Sequence, residues 1–289
     1  MNTLRLIAIE MRPKQWTKNL FVFAALLFDG KIFYPDEFFA VSTMFAAFCL
    51  SSSAVYFFND IFDAELDRLH PKKKRRPIAS GAISRRLGCF CSIILAIAGL
   101  TIALSINELC FFLILSYLAL NVVYTVRLKH VVILDIMIVS ACFAMRAVSG
   151  ALAAWIPMTI WFVLCVMFLS LFLIIGKRRD ELFRLSKNEL RCGREVLKFY
   201  SLELLDQLMT ITAAALLTTY MLFVIDPSTR EHLKMALTVP LVIYGVFYYL
   251  YAVRIEHRGG APDEMLRQSK PILATALIYF LCVLFIRNQ

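Results

Sequence analysis

Apolar stretches long enough to cross a lipid bilayer recur along the whole chain, and they constrain its fold more than any other feature. A transmembrane helix needs about 20 predominantly apolar residues. The chain is 60% hydrophobic and 18% charged, with a mean hydropathy of +0.72, which is too apolar for a soluble globular protein. We therefore predict an all-α, polytopic membrane protein with nine transmembrane helices, at residues 17–34, 37–58, 87–106, 109–126, 131–154, 158–176, 205–225, 235–253 and 271–287.

Lysine and arginine are distributed unevenly between the two sides of this predicted bundle. The N-terminus and the loops after helices two, four, six and eight hold 26 of the 31 basic residues. Loops retained in the cytoplasm carry such an excess, so we expect a plasma (inner) membrane protein whose N-terminus and active-site loops are cytoplasmic. The net charge of +10 suits this topology and an anionic substrate equally. We expect no nucleic-acid partner.

The clearest candidate site follows the second predicted helix, in Asn59-Asp60-Ile61-Phe62-Asp63-Ala64-Glu65-Leu66-Asp67. On a continuous helix the asparagine and the three aspartates share one face, whereas Glu65 points away. Carboxylates so close together repel one another unless a cation bridges them, and Mg²⁺ binds through a few carboxylates while keeping sites for substrate phosphate. We predict a metal site of Asn59, Asp60, Asp63 and Asp67, with Asp60 and Asp63 catalytic. The alternative is a solvated helical turn whose acidic residues favour the helix dipole.

Five consecutive cations, Lys72 to Arg76, follow these aspartates between Pro71 and Pro77. The two prolines predict a loop rather than a helix. A polybasic loop beside a membrane usually binds acidic lipid. Because this loop adjoins the predicted cation site, we favour the interpretation that the loop and the aspartates hold a metal–diphosphate from both sides.

Three cations, an indole and two amides precede the first predicted helix, in Met11-Arg12-Pro13-Lys14-Gln15-Trp16-Thr17-Lys18-Asn19. In an interfacial anchor, Trp16 would lie at the headgroup level and the lysines would snorkel. That interpretation explains Gln15 and Asn19 less well, since neutral amides at a helix entrance favour a polar cavity over a lipid boundary.

Two further candidates lie around the fourth and fifth helices. Tyr124 and Lys129 either face the same cytoplasmic cavity or form an ordinary aromatic and positive-inside anchor. Helix five carries Asp135 and Arg146, which are three turns apart on one face and too distant to pair directly. An arginine deep in the membrane is costly, and by default it is functional or has a buried partner.

A second long loop is predicted after helix six, four helices after the first one. This spacing gives two four-helix halves plus a ninth helix, in a single domain over residues 1–289 with active-site loops near 59–86 and 177–204. The second loop is mainly cationic, which suits phosphate rather than metal.

Within the second loop we expect Lys177, Arg178 and Arg194 to hold substrate phosphates. The two acidic residues nearby, Asp180 and Glu181, are expected to orient Lys177 and Arg178 rather than to bind a metal directly.

These motifs together resemble the UbiA-type superfamily of intramembrane prenyltransferases. The nine spans and the pattern Asn59-Asp60-x-x-Asp63-x-x-x-Asp67 carry that resemblance, and members of the superfamily bind a Mg²⁺–diphosphate at two aspartate-rich cytoplasmic loops. The usual second aspartate motif is absent here. The chain is similar to the branch of the superfamily typified by decaprenyl-phosphate phosphoribosyltransferase. This similarity is carried by the absence of the second aspartate motif and by residues 12–19, 124–130, 176–181 and 260–264.

The resemblance implies a Mg²⁺-dependent glycosyltransferase, specifically a pentosyltransferase. Its donor would be 5-phosphoribosyl 1-diphosphate and its acceptor a polyprenyl phosphate of the decaprenyl type in the lipid bilayer. Diphosphate would be released, and the product would serve the synthesis of cell-envelope polysaccharide precursors. The residues expected to bind these substrates are Lys18, Asn19, Lys72, Arg75, Arg76, Tyr124, Lys129, Arg146, Lys177, Arg178, Arg194 and Tyr200.

Two other classes of function stay open. A conventional UbiA-type prenyltransferase, moving a prenyl group from prenyl diphosphate to an aromatic acceptor, would use the same fold and first motif. It must hold one large diphosphate between metals, whereas one acidic and one cationic loop better fit a metal–diphosphate plus two further phosphates. A transporter or channel is the other alternative. Transporters concentrate ionisable groups near the membrane midplane. Here only Arg146 is expected there, with Asp135 nearer the edge, which makes this alternative the weaker one.

Overall fold

The computed structural model describes residues 3–70, 73–187, 194–229, 231–257 and 269–287. Across these residues the regular secondary structure is helical throughout. Lys72 and the segment 260–264, both named in the sequence analysis, lie outside the described residues.

Eight helices in the described residues are long and apolar enough to cross a membrane, if the run Leu233–Arg254 is counted as one. The prediction of a polytopic, all-α membrane protein is confirmed, whereas the count of nine spans stays a prediction. The long helices are α3 (Pro35–Phe62), α5 (Arg85–Ile106), α6 (Glu108–Val126), α7 (Leu134–Ala153), α8 (Ile160–Ser186), α9 (Leu202–Ile225), α11 (Val239–Arg254) and α12 (Lys270–Arg287). The short ones are α1 (Thr3–Glu10), α2 (Ala24–Asp29), α4 (Ala64–Leu69) and α10 (His232–Met235).

The first predicted span, 17–34, is not one continuous α-helix. A 3₁₀ helix covers Pro13–Phe23 and is followed by α2. Arg12 has a left-handed backbone (φ 53°), and Pro13 then fixes the first turn of the 3₁₀ helix. At the other end, α2 stops before Gly30, whose φ of 75° suits glycine. Eleven residues are many for a 3₁₀ helix, a geometry that often marks strain or a functional hinge.

The starts of four long helices follow from capping side chains. Ser84 accepts a hydrogen bond from the backbone of Leu87 (3.2 Å) at the start of α5, and Asn107 accepts one from Cys110 (2.8 Å) at the start of α6. Thr159 and Ser201 do the same for α8 and α9. Each cap satisfies a backbone N–H that has no partner inside the helix.

The chain divides into two compact units. Unit 1 comprises residues 1–26, 34–131 and 145–156, and unit 2 comprises residues 27–33, 132–144 and 157–289. The boundary passes through α7, whose first part belongs to unit 2 and whose second part belongs to unit 1. The prediction of one domain over the whole chain stays a prediction.

Small residues set the close helix packing in unit 1. A Cβ atom on Gly99 of α5 would lie 2.2 Å from the Ser51 hydroxyl of α3, and one on Gly150 of α7 would lie 1.7 Å from the Val22 carbonyl oxygen. Without a hydrophobic driving force between helices, membrane proteins depend on such close approach for packing. On α5, large apolar side chains such as Phe90, Ile93 and Ile97 remain exposed, as expected of a surface that faces lipid.

Unit 2 is built around α8 and α9. Phe172 and Ile175 of α8 pack in one buried cluster with Leu205 and Met209 of α9 and with Tyr249 of α11. Two buried hydroxyls, of Ser140 in α7 and Ser170 in α8, lie 2.9 Å apart within this unit. Unit 2 thus holds its helices together by an apolar core and by hydrogen bonds between them.

Candidate active site

The aspartate segment of unit 1 does not form the single continuous helix expected from the sequence. Helix α3 ends at Phe62 and α4 begins at Ala64, with Asp63 (φ −88°, ψ 1°) between them. The backbone N–H of Asp63 still donates to Asn59 (2.9 Å), and that of Asp67 donates to Asp63 (2.8 Å). The spacing of a helical face therefore survives the break.

Asp60 and Asp67 are brought together by one guanidinium nitrogen. The Nη1 atom of Arg76 lies 3.1 Å from a carboxylate oxygen of Asp60 and 2.5 Å from one of Asp67. Only 3–4% of each carboxylate side chain is exposed. Arg12 also contacts Asp60, and the ammonium group of Lys73 lies 3.7 Å from Asp67.

The other two predicted ligands have different partners. The Asp63 carboxylate accepts a hydrogen bond from the Lys129 ammonium (2.5 Å), and the Asn59 side-chain oxygen accepts one from the Thr125 hydroxyl. Glu65 is exposed and pairs with Arg68 and Arg85, so it faces away as predicted. We call the set Asp60, Asp63, Asp67, Arg12, Arg76 and Lys129 the aspartate cluster.

Glu10, the last residue of α1, lies beside Asp60 and was missed by the sequence interpretation. It is 1% exposed, and neither carboxylate oxygen has a hydrogen-bond partner among the described residues. Burial, and next the neighbouring Asp60 carboxyl group, raise the pKa of Glu10 from 4.5 to about 8. Glu10 was missed because it is a single acidic residue in a short N-terminal helix, far from the aspartate motif in sequence.

The aspartate cluster contains the oxygen donors that a divalent cation needs. In the described part of the chain, no group of three or more His, Cys, Asp or Glu side chains converges closely enough to hold a metal. However, Mg²⁺ is typically bound through only one or two carboxylates plus substrate phosphates. Asp60 forms a pair of hard oxygen donors with Asp67 across one cationic nitrogen, and another pair with the unpartnered Glu10 beside it.

Arg146 occupies a polar pocket within unit 1. Its guanidinium donates to the Asn19 side-chain oxygen (2.8 Å) and to the Tyr117 hydroxyl (3.0 Å), and it lies over the rings of Phe48 and Tyr117. Asn19 in turn donates to Ser52 (3.2 Å). These contacts explain why a neutral amide stands in the 3₁₀ helix, and they make Asn19 a partner of Arg146.

The remaining predicted residues of unit 1 lie at varying depth. Lys18 in the 3₁₀ helix and Tyr124 near the end of α6 are half-buried, whereas Arg75 is exposed. Trp16 donates from its indole nitrogen to the Ser53 hydroxyl (3.1 Å), which ties the N-terminal segment to α3. This contact favours a docked segment over a free interfacial anchor.

In unit 2, the prediction of a loop beginning at residue 177 is wrong. Helix α8 continues to Ser186, so Lys177, Arg178, Asp180 and Glu181 lie on a helix. The apolar run ends near Gly176, but the charged residues that follow are good helix formers. Pairs spaced three and four residues apart, Arg178–Glu181 (3.4 Å) and Asp180–Arg184 (2.9 Å), support the extra turns.

Arg178 and Tyr200 meet at a buried aspartate. Asp135 is fully buried and accepts hydrogen bonds from Arg178 (3.1 Å) and from the Tyr200 hydroxyl (2.7 Å). Tyr200 also accepts one from the backbone of Ile133 (2.7 Å). Burial, and next the hydrogen bond to Asp135, raise the pKa of Tyr200. The structure thus pairs Arg178 with Asp135, a partner that the sequence interpretation did not assign.

The expected orienting role of Asp180 stays a prediction for Lys177, whereas Arg178 has other partners. Asp180 pairs with Arg184 and not with Arg178, because a residue four positions later is its nearer neighbour on the helix. Glu181 does contact Arg178, and the guanidinium of the exposed Arg194 lies 4.0 Å from Glu181. Lys177 is half-buried on the same helix.

A second ion-pair network in unit 2, only part of which is buried, was not anticipated. Arg179 makes two hydrogen bonds to Asp206 (2.7 and 3.3 Å) and one to the Val253 carbonyl (2.9 Å), and Arg254 also contacts Asp206 (3.1 Å). This ion-pair network joins α8, α9 and α11. The consecutive cations of the 177–179 run therefore include two, Arg178 and Arg179, that are satisfied internally.

Solved structures of other proteins have a similar fold. A UbiA homolog from Archaeoglobus fulgidus, bound to GPP and Mg²⁺, matches with a TM-score of 0.74 at 17% identity, over 98% of this chain and 100% of that one. The apo structure of a UbiA homolog from Aeropyrum pernix K1 matches with a TM-score of 0.69 at 15% identity, over 94% and 97%. At such identities the likeness concerns the fold, which is that of UbiA-type membrane proteins.

The chain belongs to the UbiA prenyltransferase family, which it matches over residues 20–270. It is 34% identical to the decaprenyl-phosphate phosphoribosyltransferase of Mycolicibacterium smegmatis, over 88% of this chain and 84% of that protein. It is 31% identical to the enzyme of the same name from Mycobacterium tuberculosis, over 94% and 91%. The chain is thus a multi-pass membrane transferase in the branch of the family to which these enzymes belong, as its motifs predicted.

Proposed function

We propose that this protein transfers 5-phosphoribose from 5-phosphoribosyl 1-diphosphate to a polyprenyl phosphate and releases diphosphate. The observation that carries the proposal is the similarity, along nearly the whole chain, to enzymes named decaprenyl-phosphate phosphoribosyltransferase. The product, a polyprenyl-phosphoryl 5-phosphoribose, would serve the synthesis of cell-envelope polysaccharide precursors.

The distribution of charge in the two units supports this choice over prenyl transfer. Unit 1 carries the aspartate cluster, with cations already among its carboxylates. In unit 2, Asp135, Asp180 and Asp206 each pair with an arginine. A transferase that holds its diphosphate between two sets of metal-binding aspartates needs a second free set, whereas a phosphoribosyltransferase needs cations for additional phosphates.

The residues proposed to hold the cation are Asp60 and Asp67, with Asp63 and Asn59 beside them. A divalent cation bound there, Mg²⁺ in our proposal, would offset the negative charge that develops on the departing diphosphate. Arg76, Arg12 and Lys129 contact these carboxylates and lie within reach of phosphate oxygens bound at the same place. Guanidinium groups bind phosphate through paired hydrogen bonds, which also fixes its orientation.

The proposed reaction needs no protein nucleophile. An ionised oxygen of the acceptor phosphate forms a bond to C1 of the ribose, and the bond from C1 to the diphosphate oxygen breaks with its electron pair leaving on diphosphate. The cations Arg76 and Lys129 stabilise that charge as the sugar passes through an oxocarbenium-like state. Because the acceptor phosphate is already ionised at pH 7, a general base is optional.

We propose further substrate contacts for the other predicted residues. Arg146, held by Asn19 and Tyr117, would bind a substrate phosphate within unit 1. Lys18, Arg75 and Tyr124 are also proposed to contact a substrate, as is Lys72, which lies outside the described residues. In unit 2 the proposal assigns phosphate contact to Lys177 and Arg194 and retains Arg178 and Tyr200 as candidates.

The membrane setting follows from the acceptor. A polyprenyl chain cannot leave the bilayer, whereas a sugar diphosphate is water-soluble and arrives from the cytoplasm. We therefore propose a plasma-membrane enzyme whose aspartate cluster faces the cytoplasm, as the excess of lysine and arginine in the corresponding loops indicates.

A direct comparison of donors tests the proposal. Purified protein with Mg²⁺ is given labelled 5-phosphoribosyl 1-diphosphate and a polyprenyl phosphate, or a labelled prenyl diphosphate and 4-hydroxybenzoate. We expect labelled lipid and free diphosphate in the first mixture alone. Product in the second mixture alone would establish aromatic prenyl transfer instead, and product in neither would remove both assignments.

A further inference from the structure

Glu10 is a buried acidic group that the mechanism above leaves unused. The residue is only 1% exposed to solvent. Neither of its carboxylate oxygens has a hydrogen-bond partner among the described residues. A buried carboxylate left in this way costs free energy unless it gains a proton or a cation. Such an orphaned group therefore calls for an explanation.

The position of Glu10 is set by packing and not by a loose terminus. Leu6 of α1 belongs to a buried cluster with Phe57, Ala64 and Ile78. The Ser53 hydroxyl donates to the backbone carbonyl of Met11 (2.9 Å), directly after Glu10. These contacts hold the end of α1 against α3, where Asp60 is located.

The neighbouring cations do not satisfy Glu10. Arg12 contacts Asp60, while Arg76 is shared between Asp60 and Asp67. The hydrogen-bonding capacity near Glu10 is thus directed at the aspartates. A hard divalent cation beside Asp60 would take oxygens from both carboxylates, and it would remove the repulsion between them.

We propose that Glu10 shares a divalent cation with Asp60, as a cation-binding carboxylate delivered to the aspartate cluster by the N-terminal helix α1. The inference rests on the cation site of the proposed function and extends its ligand set beyond the motif of residues 59–67. It assigns to α1 a role in assembling the site in addition to its packing against α3.

Mn²⁺ binding to the purified protein, without substrate, tests this inference. Free Mn²⁺ is measured by electron paramagnetic resonance during titration of the wild type, Glu10→Gln, Asp60→Asn and Glu65→Gln. Glu65 is the matched control because it lies in the same segment as Asp60 but is exposed and paired with Arg68 and Arg85.

We expect Glu10→Gln and Asp60→Asn each to weaken Mn²⁺ binding about tenfold or more, since even residues outside the ligand shell contribute that much at metal sites. Glu65→Gln should bind like the wild type. Glu10→Asp, which keeps the charge, should recover part of the affinity, and it replaces Glu10→Gln if that variant aggregates. Unchanged binding in Glu10→Gln, or no site dependent on Asp60, would overturn the inference. Because no phosphoribosyl donor is present, this result is independent of whether the proposed transfer occurs.

Discussion

At the scale of single residues, Asp60 is the position on which the site depends most. Its carboxylate contacts both Arg12 and Arg76 and lies beside Glu10. We predict that Asp60→Ala lowers turnover at least about 100-fold, the scale of losing one electrostatic element of a transition-state site. Unfolding should not follow, because the two arginine side chains are 23% and 27% exposed and can be hydrated.

Steady-state kinetics and thermal unfolding of Asp60→Ala check this prediction together. Glu65→Ala serves as the control, since it removes a carboxylate from the same segment but outside the aspartate cluster. Near-normal turnover of Asp60→Ala at ordinary Mg²⁺ would remove the cation-binding assignment.

The cations of unit 2 are predicted to separate into two groups. Arg178→Ala leaves Asp135 buried and short of its charged partner, so we expect a loss of about 3–5 kcal/mol in stability. Lys177→Ala and Arg194→Ala should instead raise the KM for donor or acceptor, by about 10- to 150-fold for a lost charge-assisted bond of roughly 1.5–3 kcal/mol. Unfolding midpoints and KM values for the three variants test the division. Unchanged kinetics in both lysine and arginine variants would leave these cations only a topological role.

At the scale of elements, the contact between α7 and the 3₁₀ helix is predicted to hold the Arg146 pocket in shape. A Cβ atom on Gly150 would lie 1.7 Å from the Val22 carbonyl oxygen, so Gly150→Ala must push α7 away from the 3₁₀ helix that carries Asn19. We expect a lower unfolding midpoint and reduced activity. Gly245→Ala is the control, because its new Cβ would meet only a Thr275 methyl group at 3.5 Å. Equal behaviour of the two variants would contradict this account of the packing.

Most helices could be predicted from the sequence because hydropathy and capping residues act locally. The predicted spans 87–106 and 109–126 agree closely with α5 and α6, which begin at Ser84 and Asn107 caps. The span 17–34 stays a prediction, but it consists of a 3₁₀ helix and α2 instead of one α-helix, and its buried Asn19 contacts Arg146 of a distant helix. The end of helix α8 was predicted too early. Residues 177–186 continue the helix, but many of them are charged, and a hydropathy pattern assigns such residues to a loop.

The candidate site was predictable only in part, for a similar reason. The spacing of Asp60, Asp63 and Asp67 is visible in the sequence, and so is the polybasic run that contains Arg76. The proximity of Glu10 and Arg12, some 50 residues earlier, results from docking of α1 against α3. No local pattern encodes such a long-range contact, and the same holds for Asp135 with Arg178.

At the scale of the whole molecule, the number of membrane crossings determines whether the two termini lie on the same side of the membrane or on opposite sides. Nine crossings, with the first contributed by the 3₁₀ helix and α2, put the termini on opposite sides, whereas the eight membrane-length helices alone would put them on the same side. Alkaline phosphatase, which needs disulfides formed outside the cytoplasm, should be active when fused after Gln289 and inactive when fused after Lys187. An inactive C-terminal fusion that is stably inserted would contradict the nine-span topology.

The central proposal is that unit 1 alone binds the cation, while Asp135, Asp180 and Asp206 of unit 2 are paired with arginines. The Mg²⁺ dependence of phosphoribosyl transfer tests this directly when it is measured for the wild type, Asp60→Asn and Asp180→Asn. We predict that Asp60→Asn shifts the half-saturating Mg²⁺ concentration sharply upward, because its carboxylate belongs to the aspartate cluster. Asp180→Asn should leave that concentration nearly unchanged even if the rate falls, since Asp180 pairs with Arg184. If Asp180→Asn instead demanded much more Mg²⁺, unit 2 would bind metal as well and the aromatic prenyltransferase alternative would become the better account.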